Sequence, residues 1–296
     1  MNGTGGPGKP DSSPIPWGGV RRLIREALRE DIGKGDFTTR WIFPTREEGE
    51  AELLFREEAI LAGLDISCFV WKILDEAMTA DAFYSDGDHI EAGTVVARLS
   101  GNLRAILMGE RTALNFLQRL TGIATVTAKF VSEVEGTGAK ILDTRKTTPG
   151  LRLLEKYAVR AGGGMNHRFG LYDMILIKDN HIRRSGSLAE AFERIMRKNR
   201  MRLPVEVEVN NLDELKEALR LPVSRIMLDN MSIEDMRLAV TLTKEAGKRR
   251  KRPLLEASGN IDLGNVREVA QTGIDLISIG ALTHSARAID ISLLLK

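Results

Sequence analysis

An α/β protein in two parts is predicted: a mixed α+β region, then a run of repeated βα units. Three observations predict it. After Gly138, six short apolar runs each end in polar residues, at 140–146, 174–180, 205–210, 226–230, 254–259 and 276–281. Helical patterns separate these runs, as at 211–221 and 233–245. Before Gly138, strand and helix patterns mix with no βα repeat. Repeated βα units imply a parallel sheet. A closed or nearly closed barrel accommodates the succession, and a flat doubly wound sheet fits the same spacing.

The elements follow in order. Residues 1–19 are rich in Gly, Pro and Ser and lack the apolar stretch of a signal peptide, so they read as a disordered leader. Val20, Leu23, Ile24, Ala27 and Leu28 recur at helical spacing, which predicts a helix over 20–30. Glu30-Asp-Ile-Gly-Lys-Gly-Asp36 breaks it. Strands are expected at 50–62 and 94–99, with a helix over 66–78 between them and turns at Gly87-Asp88 and Ala92-Gly93. A long amphipathic helix covers 103–121 and continues past Gly122 toward Val134, carrying Arg104, Glu110, Arg111 and Arg119.

Composition narrows the function. The net charge of +2 points to no nucleic-acid partner. No segment reaches the roughly 18 unbroken apolar residues of a membrane span. The single cysteine, Cys68, excludes an internal disulfide and a Cys-based zinc site, and its apolar run makes it a core residue. These features favour the cytoplasm. His89, His167, His181 and His284 show no zinc-motif spacing, and no Gly-x-Ser-x-Gly elbow is present.

The polar strand ends carry the functional signal, because α/β barrels do their chemistry at the carboxyl ends of the strands. Those ends supply Arg145 and Lys146, Lys178, Glu208, Asp229, Ser258 with Gly259, and Gly280. Arg145, Lys146, Arg168 and Lys178, with His167, form a dense cationic supply to which Arg111 can add. Guanidinium groups bind carboxylates or phosphates in a fork and Lys acts as a point charge, so the substrate carries several negative groups. Glu208 and Asp229 pair with Lys178 and Lys146 or hold a divalent cation. Glu206 shares a strand face with Glu208; either both acids face inward, or one does and a salt bridge supports it. Ser258-Gly259-Asn260 and Gly280-Ala281 offer backbone N–H groups suited to a phosphate. Ordinary turn formation accounts for Gly162-Gly163-Gly164.

Leu142-Asp-Thr-Arg-Lys-Thr-Thr-Pro-Gly-Leu-Arg152, Gly162-Gly-Gly-Met-Asn-His-Arg168, Leu176-Ile-Lys-Asp-Asn-His181, Val205-Glu-Val-Glu-Val209, Met227-Leu-Asp-Asn230 and Glu256-Ala-Ser-Gly259 closely resemble the quinolinate phosphoribosyltransferase family. The resemblance extends through Glu30–Thr38, Gly109-Glu-Arg-Thr-Ala-Leu-Asn115 and Gly280-Ala-Leu-Thr-His284, leaving out little but the leader. It implies an N-terminal α/β sandwich domain (20–115), an incomplete parallel α/β barrel (116–285) and a tail (286–296) packed on the N-terminal domain. It also implies homodimers with shared active sites, possible higher assembly, and Mg2+. By this resemblance Arg111 reaches the partner's quinolinate, while Arg145, His167, Arg168 and Lys178 hold its carboxylates and Lys146 bridges toward phosphoribosyl pyrophosphate. Thr144 joins the substrate-binding set. Glu208 and Asp229 position the ribose hydroxyls and magnesium, and with Lys146 form the implied catalytic set. Ser258, Gly259, Asn260 and Gly280 cradle the 5-phosphate, with His284 in support. The leader and the basic stretch 248–252, which reads as a solvated loop, are the departures.

Two other readings compete. A related transferase for another acid, including the molybdenum-associated relatives, would need cations for one carboxylate; Arg111, Arg145 and Arg168 favour two. A non-catalytic binder of a phosphorylated metabolite would keep Ser258-Gly259 without needing Lys146, Glu208 and Asp229 together.

Overall fold

The computed structural model describes residues 15, 17–247 and 251–296. The chain divides into two compact units: residues 1–128, 148–163 and 285–296, and residues 129–147 with 164–284.

The first unit opens with α1 (Trp17–Ile32), whose Val20, Ile24 and Leu28 form one buried stripe at helical spacing. Of the expected leader, residues 1–14 and 16 lie outside the described residues. Trp17, Gly18 and Gly19 form the first turn of α1 instead, where Trp17 packs tilted against Phe69 with ring centroids 5.0 Å apart. A short helix, α2 (Phe37–Ile42), follows, capped by the Asp36 carboxylate accepting from the Thr39 N–H. The stretch expected as one strand is two, β1 (Glu48–Phe55) and β2 (Ala59–Ile60), separated by three polar residues.

Helix α3 (Leu64–Leu74) stops four residues before the expected end, where extended Asp75 caps it and its carboxylate turns back to the Ala77 N–H. That leaves room for β3 (Thr79–Ala82), an exposed strand without apolar alternation and therefore silent to periodicity. Strands β4 (His89–Ile90) and β5 (Val95–Asn102) precede α4 (Leu103–Glu133), one continuous 31-residue helix as expected.

Six parallel strands build the second unit: β6 (Lys140–Leu142), β7 (Ile175–Ile177), β8 (Val205–Val209), β9 (Arg225–Asp229), β10 (Leu254–Ser258) and β11 (Leu276–Ser278). Helix α5 (Arg152–Ala161) belongs to the first unit. Helices α6 (Asp179–Ser185), α7 (Leu188–Lys198), α8 (Leu212–Ala218), α9 (Ile233–Gly247), α10 (Val266–Gln271) and the short α11 (Ala281–His284) follow strands of the second. The strand order is β6-β11-β10-β9-β8-β7. A doubly wound sheet reverses direction at a switch point. Here β7 to β11 advance in one direction and β6 lies beside β11, which is the cyclic order of a barrel left open between β6 and β7. At the open edge Met165 adds a single parallel bridge to Leu142. Every residue of β8 is buried, with Glu206 and Glu208 on one face and the three valines on the other.

The chain ends in β12 (Ile291–Leu295), which returns to the first unit and pairs antiparallel with β1, giving the sheet order β12-β1-β5-β3. Gln118 on α4 accepts from the Ile289 N–H and donates to the Ile291 carbonyl. Gly122 lets this tail approach: a Cβ there would lie 1.9 Å from the Arg287 carbonyl oxygen. The basic stretch is partly outside the described residues (248–250), and Arg252 is no loose charge, since it forks onto Asp275 with two 2.7 Å bonds.

Candidate active site

Short β strands ending together at one edge of a parallel sheet leave their following residues facing one space. In the second unit that space is a cavity of about 850 Å3, within the usual size of a small-molecule site. Thirteen of the fourteen residues singled out in the sequence line it. Thr144, Arg145 and Lys146 come from beyond β6, His167 and Arg168 from the segment beside it, and Lys178 from the end of β7. Glu208 lies one residue from the end of β8 and Asp229 ends β9, Ser258 ends β10 with Gly259 and Asn260 following it, and Gly280 precedes α11, which His284 ends. Arg111 is the exception: it is exposed on α4 and does not line this cavity.

The cavity is electrostatically strained in favour of an anion. Burial and the neighbouring Arg145 charge both disfavour the Arg168 cation, which one hydrogen bond to the Met174 carbonyl at 3.1 Å helps to orient. Lys178 is paired with a cavity acid, at 2.6 Å to Glu208. Opposite these groups, the Lys146 backbone is pinned by Thr283, whose hydroxyl donates to its carbonyl at 2.8 Å. Gly280 accommodates the Lys146 side chain, since a Cβ there would sit 2.9 Å from its Cδ.

Beneath the mouth lies a second polar layer that sequence reading saw only in part. Buried Asp143, one residue past β6, accepts from the His167 N–H at 2.9 Å and from the Asn166 amide at 2.6 Å. His167 Nδ1 accepts from the Arg168 N–H at 2.7 Å. Its Nε2 faces Glu206 at 3.1 Å and Glu256 at 3.3 Å, both fully buried. Arg225 completes the cluster at 2.7 Å from Glu256. Glu206 and Glu208 therefore both point inward, but only Glu208 reaches the cavity. Strand alternation predicted an inward Glu206. Glu256 and Arg225 carry no signal of their own without the inter-strand register that faces them.

The charges here are mutually dependent. Burial opposes a charged imidazole, yet hydrogen bonding and charge from Glu206 and Glu256 outweigh it and lift His167 to about 9. Burial pushes Glu206 above the usual carboxylate range, while His167 and Arg225 overcome burial and hold Glu256 below it. His167, Glu206 and Glu256 have the composition of a metal cluster. The geometry argues otherwise: Nε2 faces both acids as a proton-bearing nitrogen, and Arg225 already neutralises one of them. His167, expected to hold a substrate carboxylate, lines the cavity, and its two ring nitrogens face protein groups. Cys68 lies outside all of this, and burial pushes its thiol up to about 12, out of reach of thiolate chemistry.

Comparison with known proteins decides the lineage of this arrangement. The quinolinate phosphoribosyl transferase N-terminal domain matches residues 36–121 and the corresponding C-terminal domain matches residues 123–294. The chain belongs to the quinolinate phosphoribosyltransferase family. It is 41% identical over 280 residues to a Synechocystis protein named a probable nicotinate-nucleotide pyrophosphorylase (carboxylating), covering 94% of this chain and 93% of that one. A Bacillus subtilis protein of the same name is 43% identical over 274 residues, with 93% and 92% covered. Among solved structures, the nicotinate-nucleotide pyrophosphorylase of Francisella tularensis superposes with a TM-score of 0.88 at 44% identity, covering 96% of this chain and 98% of that chain. An enzyme from Pyrococcus furiosus shares the fold at 15% identity.

Proposed function

We infer that the chain transfers a phosphoribosyl group from phosphoribosyl pyrophosphate to quinolinate with loss of CO2, giving nicotinate mononucleotide for NAD biosynthesis. The observation that carries this reading is the single cavity in which mutually repelling Arg145 and Arg168, the acids Glu208 and Asp229, and the Ser258-Gly259-Asn260 turn meet. Two ring carboxylates relieve the repulsion between the guanidinium groups. Lys178 adds a third cation, and Arg111 of the partner subunit a fourth. His167 acts behind them: its ring and backbone set where Arg168 begins, with Asp143 as the anchor.

The donor lies across the other half of the cavity. Its 5-phosphate rests on the N–H groups of Ser258, Gly259, Asn260 and Gly280, with His284 beside it. Glu208 and Asp229 hold the ribose hydroxyls, and Lys146 faces the pyrophosphate, with Thr144 shaping its turn through a 3.0 Å bond to the Lys146 N–H. Glu208 and Asp229 are both oxygen donors, which suits a hard cation such as Mg2+, and these two carboxylates would hold it. When bound, the cation neutralises charge on the leaving pyrophosphate.

Chemistry then needs no base. The pyridine nitrogen donates its lone pair to the anomeric carbon as the bond to pyrophosphate breaks. The ring nitrogen becomes cationic, and its charge stabilises the electron pair left on the 2-carbon when the 2-carboxylate leaves as CO2; a solvent proton then bonds to that carbon through the same pair. Positioning and electrostatics supply the acceleration. The functional unit is a homodimer with shared sites. We place it in the cytoplasm: no helix among the described residues is long and apolar enough to cross a membrane. Plant relatives named chloroplastic or mitochondrial make fractionation the deciding measurement.

The test is turnover with quinolinate, with nicotinate and with each omitted, following nicotinate mononucleotide and CO2 together, with and without chelator. Product from quinolinate at far higher kcat/KM than from nicotinate, abolished by chelation, is expected. Equal specificity for the two acids overturns the dicarboxylate assignment.

A further inference from the structure

Asn230 follows Asp229 at the end of β9 and is assigned no part in the reaction above. Its backbone is left-handed, with φ 54°. Among the described residues only Arg202, Asn230 and Asn260 are non-glycine residues of that kind, so two of the three meet at one place. The Asn230 N–H donates to the Ser258 carbonyl at 2.9 Å, tying the end of β9 to that of β10. The side chain ties them again. Its Nδ2 donates to Asp229 Oδ2 at 3.1 Å, and its Oδ1 accepts from Asn260 Nδ2 at 3.0 Å. An ionised carboxylate only accepts, so the amide nitrogen must face Asp229 and the oxygen must face Asn260. Asn265 secures the far end by donating to the Asn260 carbonyl at 2.9 Å.

Gly259 belongs to the same construction. Its φ is 96°, and a Cβ built on it would lie 2.2 Å from Asn230 Oδ1, 2.5 Å from Cγ and 2.8 Å from Nδ2. The Asn230 amide occupies the space that the missing side chain leaves. A glycine at a phosphate turn is ordinarily explained by close approach of the ligand to the backbone; here a protein group already fills that side.

We propose that Asn230 is a positioning residue, seated against Gly259 so that its amide fixes the Asp229 carboxylate relative to the Ser258-Gly259-Asn260 turn. It thereby sets the separation between the ribose-holding and phosphate-holding ends of the donor site. The proposal rests on the phosphoribosyl-transfer reading, because it needs a donor that spans both ends. Groups beyond β6, in the 164–168 segment and at the end of β7 hold the dicarboxylate, whereas Asn230 bonds to Asp229, Ser258 and Asn260 on the donor side, so the two substrates separate the effects.

The experiment uses the full-length enzyme with Asn230→Gly, Asn230→Asp, Gly259→Ala and the double variant Asn230→Gly with Gly259→Ala. Glycine at 230 deletes the amide without penalising the left-handed backbone. Asn230→Gly is expected to raise KM for phosphoribosyl pyrophosphate by about tenfold, the size of a lost hydrogen bond to a charged group, and to leave KM for quinolinate within about twofold. Asn230→Asp, which sets a second carboxylate against Asp229, is expected to be worse. The decisive readout is the cycle. If Gly259→Ala acts by displacing the amide, its effect shrinks in the Asn230→Gly background; if the glycine serves only ligand approach, the two effects multiply. Multiplicative effects, or equal shifts in both KM values, overturn the proposal. So does an unchanged donor KM in Asn230→Gly. A wild-type enzyme that makes no nicotinate mononucleotide overturns the functional reading instead, and melting curves of each variant separate loss of fold from loss of donor binding.

Discussion

Replacing Arg225 by Met tests the buried layer below the cavity. The change removes the guanidinium that sits 2.7 Å from Glu256 and leaves two fully buried acids, Glu206 and Glu256, sharing one histidine. Stripping one partner from a buried ion pair costs about 3–5 kcal/mol, because the remaining charge stays desolvated. The Arg225 side chain is 19% exposed, so water reaches one edge of the pair and the lower end applies. For a unit of this size, about 3 kcal/mol lowers the melting temperature by roughly 6–12 °C. Trp17, Trp41 and Trp71 all lie in the first unit, so tryptophan fluorescence reports on that unit and far-UV circular dichroism must follow the second. Adding Glu256→Met should recover most of the loss, since an apolar pair of similar volume is often as stable as a buried ion pair. A single variant that costs less than about 1 kcal/mol, or a double variant worse than the single, refutes the charge argument.

Other consequences are cheaper to check. Because His167 is lifted from its ordinary 6.5 to about 9, its contribution to stability is complete below 6.5 and is lost as pH rises through 9, so urea midpoints should fall over that window and His167→Asn should flatten the slope. Asp275 is held below its ordinary value against burial by the Arg252 fork and the Leu255 N–H, so its contribution is present at neutral pH and lost on acidification through the carboxylate range; Asp275→Asn should remove that limb. Gly122→Ala drives a methyl into the Arg287 carbonyl and should destabilise the protein by about 1–3 kcal/mol, with faster proteolysis of the 285–296 tail as the local readout. Arg111→Ala and Lys146→Ala subunits, each inactive alone, should regain activity when hybrid dimers form, and hybrids confirmed by mass without activity would exclude a shared site.

The barrel was legible because its signal repeats. Each strand is a buried apolar run ended by polar residues, and six such runs separated by helical patterns leave few alternatives. What spacing alone left open was closure, which depends on which strands lie at the edges; the order ending in β6 and β7 resolves it. The first unit was harder. β3 carries no alternation because it is an exposed edge, and α2 has six residues and one buried side chain, too little for a period. Trp17 was read with the Gly- and Pro-rich start because composition outweighed one aromatic residue, yet a single partner, Phe69, suffices to carry the helix back over it.

The legibility of the site has a sharper limit, set by the period of two. Alternation puts Glu206 and Glu208 on the same face, roughly 6–7 Å apart along the strand, and it does the same for Arg225, Met227 and Asp229 and for Glu256 and Ser258. Sequence identifies these inward sets but not their levels, because levels depend on register between strands. In the structure Glu208 pairs in register with Met227, and Glu206 with Arg225, while Asp229 aligns with Ser258. Asp229 and Ser258 thus stand at the mouth, Glu208, Met227 and Glu256 one level lower, and Glu206 and Arg225 two levels lower. Glu208 and Met227 of the middle level still line the cavity, whereas Glu206, Arg225 and Glu256 do not. A polar residue that does not reach the cavity has to find its partners within the barrel, which is why Glu206, Glu256 and Arg225 occur as a set with His167. The family's cationic mouth therefore stands on a second charged layer, and a substitution that neutralises one member of that layer should disturb Arg168 through His167 without touching any group that faces the substrate.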